Sequence, residues 1–312
     1  MAPLTFSQAL EGYYLHLRAR RLSEHTLADY ANTYRKFADY LDGDPPLTAI
    51  TRNDVESFLA SFDPDLISAK TLLNYHTGLA ALYTWALSEG LVSYHVPRQV
   101  TPPDPEKKEI IPFSEADVKL MLASLERTKP YRRAGQLQPS DRALPNPLRN
   151  RAIILTLLDT GLRASELCSL RLANADLKNQ RLTRVMGKGS RERTALLSAK
   201  TAKSIWRYLT TRPEARPKYA LFPGDDDQPF QRQSLARLIK RIGDRAGVPN
   251  AHPHRFRHTF AINFLKNGGN IFVLQELLGH SSLEMVKHYL HLANLNTEEV
   301  HRHASPVANW NL

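Results

Sequence analysis

The stretch HPHRFRHTFA, residues 252–261, decides how the rest of the chain is read. Pro253 suits the first turn of a helix, where its missing N–H is no loss. On a helix that begins there, positions 254, 257 and 258 share one face. His254 and Arg257 therefore point at one place, while Phe256, Phe260 and Phe264, spaced four apart, can hold the opposite face in a core. Imidazole and guanidinium on one face suit an anionic ligand, because a guanidinium offers a rigid fork of donors and keeps its charge at any working pH.

Three further segments accompany it: TGLRASEL at 160–167 with Arg163, VMGKGSRER at 185–193 with Lys188, and LLGHSSLEMVKHYLH at 277–291 with His280 and Tyr289. Glu166 stands one helical turn after Arg163 and can orient it. The run RLTRVMGKGSRERTALL, 181–197, reads as two short strands around a Gly187-Lys188-Gly189 turn. Each segment alone has an ordinary explanation: a capping arginine, a turn lysine, a helix-capping histidine, a core tyrosine.

The partner is expected to be a polyanion. Lys and Arg number 42 against 31 Asp and Glu, a formal net charge of +11, and neutralising phosphates releases condensed counterions from nucleic acid. Cys168 is the single cysteine, which excludes an intrachain disulfide and a cysteine-built zinc site. The histidines come without a His-Glu-x-x-His pattern, and the acidic run Asp225, Asp226, Asp227 reads as a solvated loop rather than a Mg²⁺ site. No metal or cofactor is therefore expected. The N-terminus carries no basic segment followed by an apolar run, and no stretch approaches ~18 apolar residues. The expectation is a soluble, cytoplasmic, nucleoid-associated protein with no membrane partner.

Upstream, helices punctuated by caps fill the first hundred residues. Phe6 to Ala19 is periodic, Ser23 caps a helix toward Leu41, Thr51 with Asp54 forms a capping-box pattern, and Ser68 opens a longer helix closed by Gly90. Tyr13, Tyr34 and Tyr83 are read as core. Prolines at 97, 102, 103, 105 and 112 then break any helix. The expected division is a helical domain over 1–95, a linker over 96–113, and a second domain over 114–312 with a C-terminal tail. Ser114 and Asp117 cap the first helix of that second domain. Arg127–Pro147 reads as an exposed loop, and Asn146-Pro147 starts an apolar helix that ends at Gly161.

In this order and at these spacings, the four segments resemble the tyrosine recombinase (phage-type integrase) family, with its Xer- and Cre-like members; the first domain looks like that family's core-binding (SAM-like) domain. The resemblance implies a mostly α fold with a small three-stranded β-sheet carrying Lys188, arranged as a two-domain C-shaped DNA clamp. It implies Tyr289 as nucleophile, Arg163 and Arg257 as phosphate clamps, Lys188 as general acid, and His254 and His280 as supporting donors or acid–base groups. It also implies double-stranded DNA as partner, a homotetramer (or an assembly with a related recombinase) on two DNA sites, and a Holliday junction.

These residue types suit the chemistry. A phenolate attacking a phosphodiester builds negative charge on the non-bridging oxygens, which two guanidiniums can meet. Phenol titrates near ~10, so Tyr289 needs a base, for which His254 is favoured, or a strongly positive site. Arg184, Arg191 and Arg193 make a basic neighbourhood that is expected to lower the pKa of Lys188 and make it a better acid. His258 and His291 are expected to be structural, and His252 and His288 bystanders. Two rivals remain. A type IB topoisomerase shares the tyrosine, arginines and lysine but relaxes supercoils, and a DNA-binding regulator would need cations but no positioned tyrosine.

Overall fold

A computed structural model describes residues 3–106, 109–126, 131–133, 136–138, 145–186, 192–224, 228–279, 282–293, 301–302, 305 and 307. The chain divides into two compact units, Met1–Lys108 and Glu109–Leu312.

The first unit is helical: α1 (Phe6–Ala19), α2 (Glu24–Tyr40), α3 (Arg52–Ala60) and α4 (Ala69–Ser88). Each starts where a hydroxyl takes an orphan N–H of the first turn: Thr5, Ser23, Thr51 and Ser68 accept from Gln8, Thr26, Asp54 and Thr71. Thr51 and Asp54 form the expected reciprocal box. The apolar faces bury Phe6, Tyr13, Tyr34, Phe37, Phe58, Leu79 and Tyr83 in one core. The buried Tyr34 and Tyr83 hydroxyls donate to the carbonyls of Gly78 and Leu47 at 2.8 and 3.2 Å, as buried phenols must.

The segment expected as a linker is packed at both ends. Val96–Gln99 forms a 3₁₀ turn whose Val96, with Val100, joins the N-terminal core. Phe113 joins the core of the second unit, 4.6 Å from Phe256 between ring centroids, and its N–H donates to Thr259 Oγ1. The prolines stop the helix, yet apolar residues on either side of them still bury.

The second unit opens with α5 (Glu115–Ala123) on the Ser114–Asp117 capping box. Where a plain loop was expected, β1 (Tyr131–Arg133) and β2 (Gln136–Gln138) pair antiparallel. The sequence YRRAGQLQ lacks apolar alternation, so no burial signal marked them. Helices α6 (Pro147–Thr160) and α7 (Ala164–Ser169) precede the three-stranded antiparallel sheet β3 (Ala175–Asp176), β4 (Arg181–Met186) and β5 (Glu192–Leu196), in the order β3-β4-β5. The β4–β5 register shifts between Leu182 and Val185, where Arg184 has φ 52°. Strict alternation would send Arg184 inward with Leu182. The bulge resets the face so that Leu182 and Val185 are both buried. Then follow α8 (Ala199–Leu209), α9 (Arg232–Ala246), α10 (Pro253–Lys266), α11 (Ile271–Leu278) and α12 (Glu284–Ala293).

One core lies among α5–α9 and the sheet; a second, smaller one forms between α10, α11 and α12 around Ile262, Leu274, Leu278 and Val286. Helix α10 serves both. Phe256 is buried in the larger core, while Phe260 and Phe264 are only half-buried, against the smaller one.

Candidate active site

Helix α10 begins on His252, whose Nδ1 accepts from the Arg255 N–H at 3.2 Å, so this histidine is a cap. From there the turn of the helix brings His254, Arg257 and His258 to one region, as their spacing requires. Arg257 is buried between two helix ends. Its Nη1 donates to the Gly161 carbonyl just past α6, and its Nη2 to the Leu278 carbonyl at the end of α11, both at 2.8 Å. Gly161 and Gly279 close those helices in the left-handed region, with φ 60° and 62°. A β-carbon on Gly161 would fall 2.5 Å from Phe260 Cδ1, so the approach of α6 to α10 also requires glycine. Burial, followed by the neighbouring charge of Arg163, pushes the Arg257 pKa down to about 10, which leaves it a cation at neutral pH.

Tyr289 projects from α12 into this region and is 4% exposed. Its hydroxyl lies 3.0 Å from His258 Nδ1. Burial raises the phenol's pKa, while the charges of Arg257 and then Arg163 pull it down. His258 is held neutral: desolvation, then His254, His252, Arg257 and His288, push its pKa down to about 4. In the Nε2–H tautomer its Nδ1 accepts a hydrogen bond from the phenolic O–H. His254 sits edge-on to His258, with centroids 4.3 Å apart. Although open to solvent on one side, it too is disfavoured as imidazolium, by desolvation and then by Arg257.

Arg163 caps α7. Its N–H donates to Glu166 Oε2 at 2.7 Å and its Nη1 to Oε1 at 2.8 Å, so Glu166 orients it as the spacing suggested. Glu166 is 1% exposed. It also receives Arg193 Nη2 on Oε2 at 2.9 Å.

Arg163, Glu166, His254, Arg257 and Tyr289 thus belong to one neighbourhood. Lys188, His280, the acidic run 225–227, most of the loop 127–144 and the tail segment 294–300 lie outside the described residues. Two residues that sequence reasoning had set aside stand in the site. His258, expected to be structural, meets the tyrosine hydroxyl, and Arg193, expected as charge beside Lys188 and a residue that could be mistaken for it, shares the buried carboxylate. The i to i+4 relation of His254 and His258 was available as a signal; which of them meets Tyr289 was not. His288 and His291 are exposed on α12.

The chain matches the phage integrase family over residues 107–295 and the N-terminal SAM-like domain of phage integrases over residues 10–90. It is 31% identical to tyrosine recombinase XerD of Corynebacterium glutamicum, over 94% of this chain and 96% of that protein. It is also 31% identical to tyrosine recombinase XerC of Pelobacter propionicus, over 99% and 98%. In fold it is similar to the Tn1549 transposon integrase in complex with a circular intermediate DNA, with TM-score 0.74 and 19% identity over 98% of this chain and 100% of that one. A lambda integrase tetramer bound to a Holliday junction gives TM-score 0.72 and 16% identity, over 92% and 78%. A helical SAM-like domain followed by a mostly helical domain with a small antiparallel sheet is the plan of the tyrosine recombinases, enzymes of site-specific DNA recombination that act through a tyrosine intermediate. Within that class, this chain belongs to the phage integrase family. No described helix is long and apolar enough to cross a membrane.

Proposed function

We propose that this chain cleaves and rejoins double-stranded DNA with Tyr289 as nucleophile. The observation that carries the assignment is the Tyr289 hydroxyl, 3.0 Å from a neutral histidine on the helix that also carries Arg257. The phenolic oxygen attacks the scissile phosphorus and forms a 3′-phosphotyrosine, and the P–O bond to the 5′-oxygen breaks. Attack by the 5′-hydroxyl of another strand reverses the step and releases the tyrosine, so ligation requires neither ATP nor a metal ion.

Arg163 and Arg257 receive the charge that develops on the phosphoryl oxygens. Loss of one such preorganised donor typically costs ~2.7–4 kcal/mol of transition-state stabilisation. Glu166 fixes the Arg163 fork. His258, already at the phenol, is favoured over His254 as the acceptor of its proton; His254, beside it on the open face, and His280 support the phosphate. Lys188 protonates the leaving 5′-oxygen. The working assembly is a homotetramer, or a tetramer with a related recombinase, on two DNA sites in the cytoplasm, with strands exchanged in pairs through a Holliday junction. The N-terminal SAM-like domain adds a second DNA-binding module.

Covalent trapping on a nicked suicide substrate tests this. The wild-type chain forms an adduct stable to denaturing electrophoresis, and Tyr289→Phe binds the same DNA but forms none. An adduct with the phenylalanine variant shows that the nucleophile is another residue. Product topology separates the recombinase from a type IB topoisomerase, which would relax supercoils without joining two sites.

A further inference from the structure

We propose that Arg193 is a positioning residue for strand cleavage that acts through Lys188: it anchors β5, the strand that follows Lys188 in sequence, on the buried Glu166 carboxylate and on the end of α11. The inference rests on the roles proposed above for Lys188 and Arg163.

Arg193 lies on β5, five residues after Lys188 in sequence, and its side chain turns away from the strand into the protein. Its Nη2 meets Glu166 Oε2 at 2.9 Å, and its Nε donates to the Leu277 carbonyl at 3.1 Å. The same carboxylate orients Arg163 through Oε1 and Oε2. The next carbonyl of α11, that of Leu278, accepts from Arg257. One guanidinium therefore joins three elements: the strand leading out of the Lys188 connection, the start of α7 with Arg163, and the C-terminus of α11, which leads directly to His280. Gly279 is part of the fit, since a β-carbon there would lie 3.2 Å from Arg193 Cδ and 3.3 Å from Nε.

Packing alone does not explain a cation at this place. Among the described residues, three arginines, 163, 193 and 257, act on one buried carboxylate, and these four groups together carry 3 − 1 = +2. Desolvation lowers the Arg193 pKa, Glu166 raises it, and Arg163 lowers it again. Arg193 Nη1 is buried without a hydrogen-bond partner. An apolar side chain would fill the same space without desolvating a charge. What the guanidinium adds is direction: it bonds a carboxylate and a carbonyl at once on different edges of a rigid plane, which an ammonium cannot do.

The experiment is single-turnover adduct formation by Arg193→Lys on two suicide substrates, one with the natural 5′-oxygen at the scissile phosphate and one with a bridging 5′-sulfur. A thiolate leaves without needing a proton, so the sulfur substrate does not require a general acid. On the oxygen substrate, the variant should bind as wild type and cleave roughly 10–100-fold more slowly, the range expected when an outer residue lets a catalytic group drift by about 1 Å. On the sulfur substrate most of that loss should disappear, as it should for Lys188→Ala run alongside. A thermal melt within a few degrees of wild type confirms a folded variant, and any general loosening would slow both substrates equally. Wild-type cleavage of the oxygen substrate by Arg193→Lys, or an equal defect on both substrates while Lys188→Ala is rescued, overturns the proposal. If Lys188→Ala is not rescued, the acid assigned to Lys188 falls and this inference falls with it. If the wild-type chain itself forms no adduct, the proposed function is what has failed.

Discussion

Glu166→Gln is the substitution whose effect can be worked most directly from the geometry. The carboxylate is 1% exposed and accepts three hydrogen bonds: the Arg163 N–H at 2.7 Å and Arg193 Nη2 at 2.9 Å on Oε2, and Arg163 Nη1 at 2.8 Å on Oε1. An amide has one oxygen. Placed at Oε2 it keeps two of the three bonds, now without the charge that made them strong, and sets an NH₂ against the Arg163 Nη1 donor. The three arginines lose their only described buried counter-charge. Breaking a buried ion pair by removing one partner costs about 3–5 kcal/mol, and the two retained bonds place this variant near the lower end, at about 3 kcal/mol. For a domain of about 200 residues each kcal/mol moves the midpoint by ~2–4 °C, so the catalytic domain should melt roughly 6–12 °C lower. Calorimetry on the full-length protein reads the midpoint, and single-turnover cleavage well below the transition should fall about 10–100-fold as Arg163 loses its orientation. A midpoint within about 2 °C of wild type would refute the reasoning, because it would mean that the ionised carboxylate is not what holds the two guanidiniums.

Arg163→Lys and Arg257→Lys should each be strongly impaired in cleavage, and Arg257→Lys less stable as well, because an ammonium cannot bridge the Gly161 and Leu278 carbonyls while also facing phosphate; near-normal turnover in either removes that residue from the clamp. Cleavage should persist in excess chelator, and rising salt should weaken binding steeply; activity lost in chelator and restored by Mg²⁺ would contradict the arginine-based mechanism. Stability should also decline as pH falls from ~6.5 toward 4, with His258 a principal contributor. The unfolded imidazole takes its proton near ~6.5, the folded one only at about 4, so the contribution is complete above the unfolded value and is lost through this window. His252, His254 and His95, also lowered, act in the same sense. The calorimetric midpoint of His258→Gln should accordingly fall less than that of wild type between pH 6.5 and 5, and equal slopes would show that His258 is not held neutral.

The helices of both domains were legible because their signals are local. Hydroxyl caps at Ser23, Thr51, Ser68 and Ser114 accept from N–H groups three residues on, and the apolar spacing after them fixes the buried face. The Arg163–Glu166 pair was legible for the same reason, since three residues on a helix start are neighbours in any fold. What could not be read depends on contacts distant in sequence. His258 and Tyr289 are 31 residues apart, and Glu166 and Arg193 are 27 apart. Periodicity says which residues share a face, not which other helix meets it. The bulge at Arg184 was hidden because alternation along RLTRVM pointed to the wrong face. The packed ends of the Pro-rich segment were hidden because a breaker stops a helix without preventing burial.

The buried arginines show why the chemical and structural demands of this site are hard to separate. Helices α6 and α11 both end on left-handed glycines, leaving C-terminal carbonyls without intrahelical donors and a partial negative charge at each end. Arg257 takes the carbonyls of Gly161 and Leu278, and Arg193 takes that of Leu277. A buried cation is thus made tolerable by carbonyl dipoles that need a donor in any case. Arg193 spends its Nη2 on Glu166 as well, so one guanidinium serves a helix end and a buried carboxylate together. The same economy means that a substitution here changes helix ends and active site together. Only a readout tied to one chemical step, such as the leaving-group comparison for Arg193, can tell a lost strut from a loosened domain.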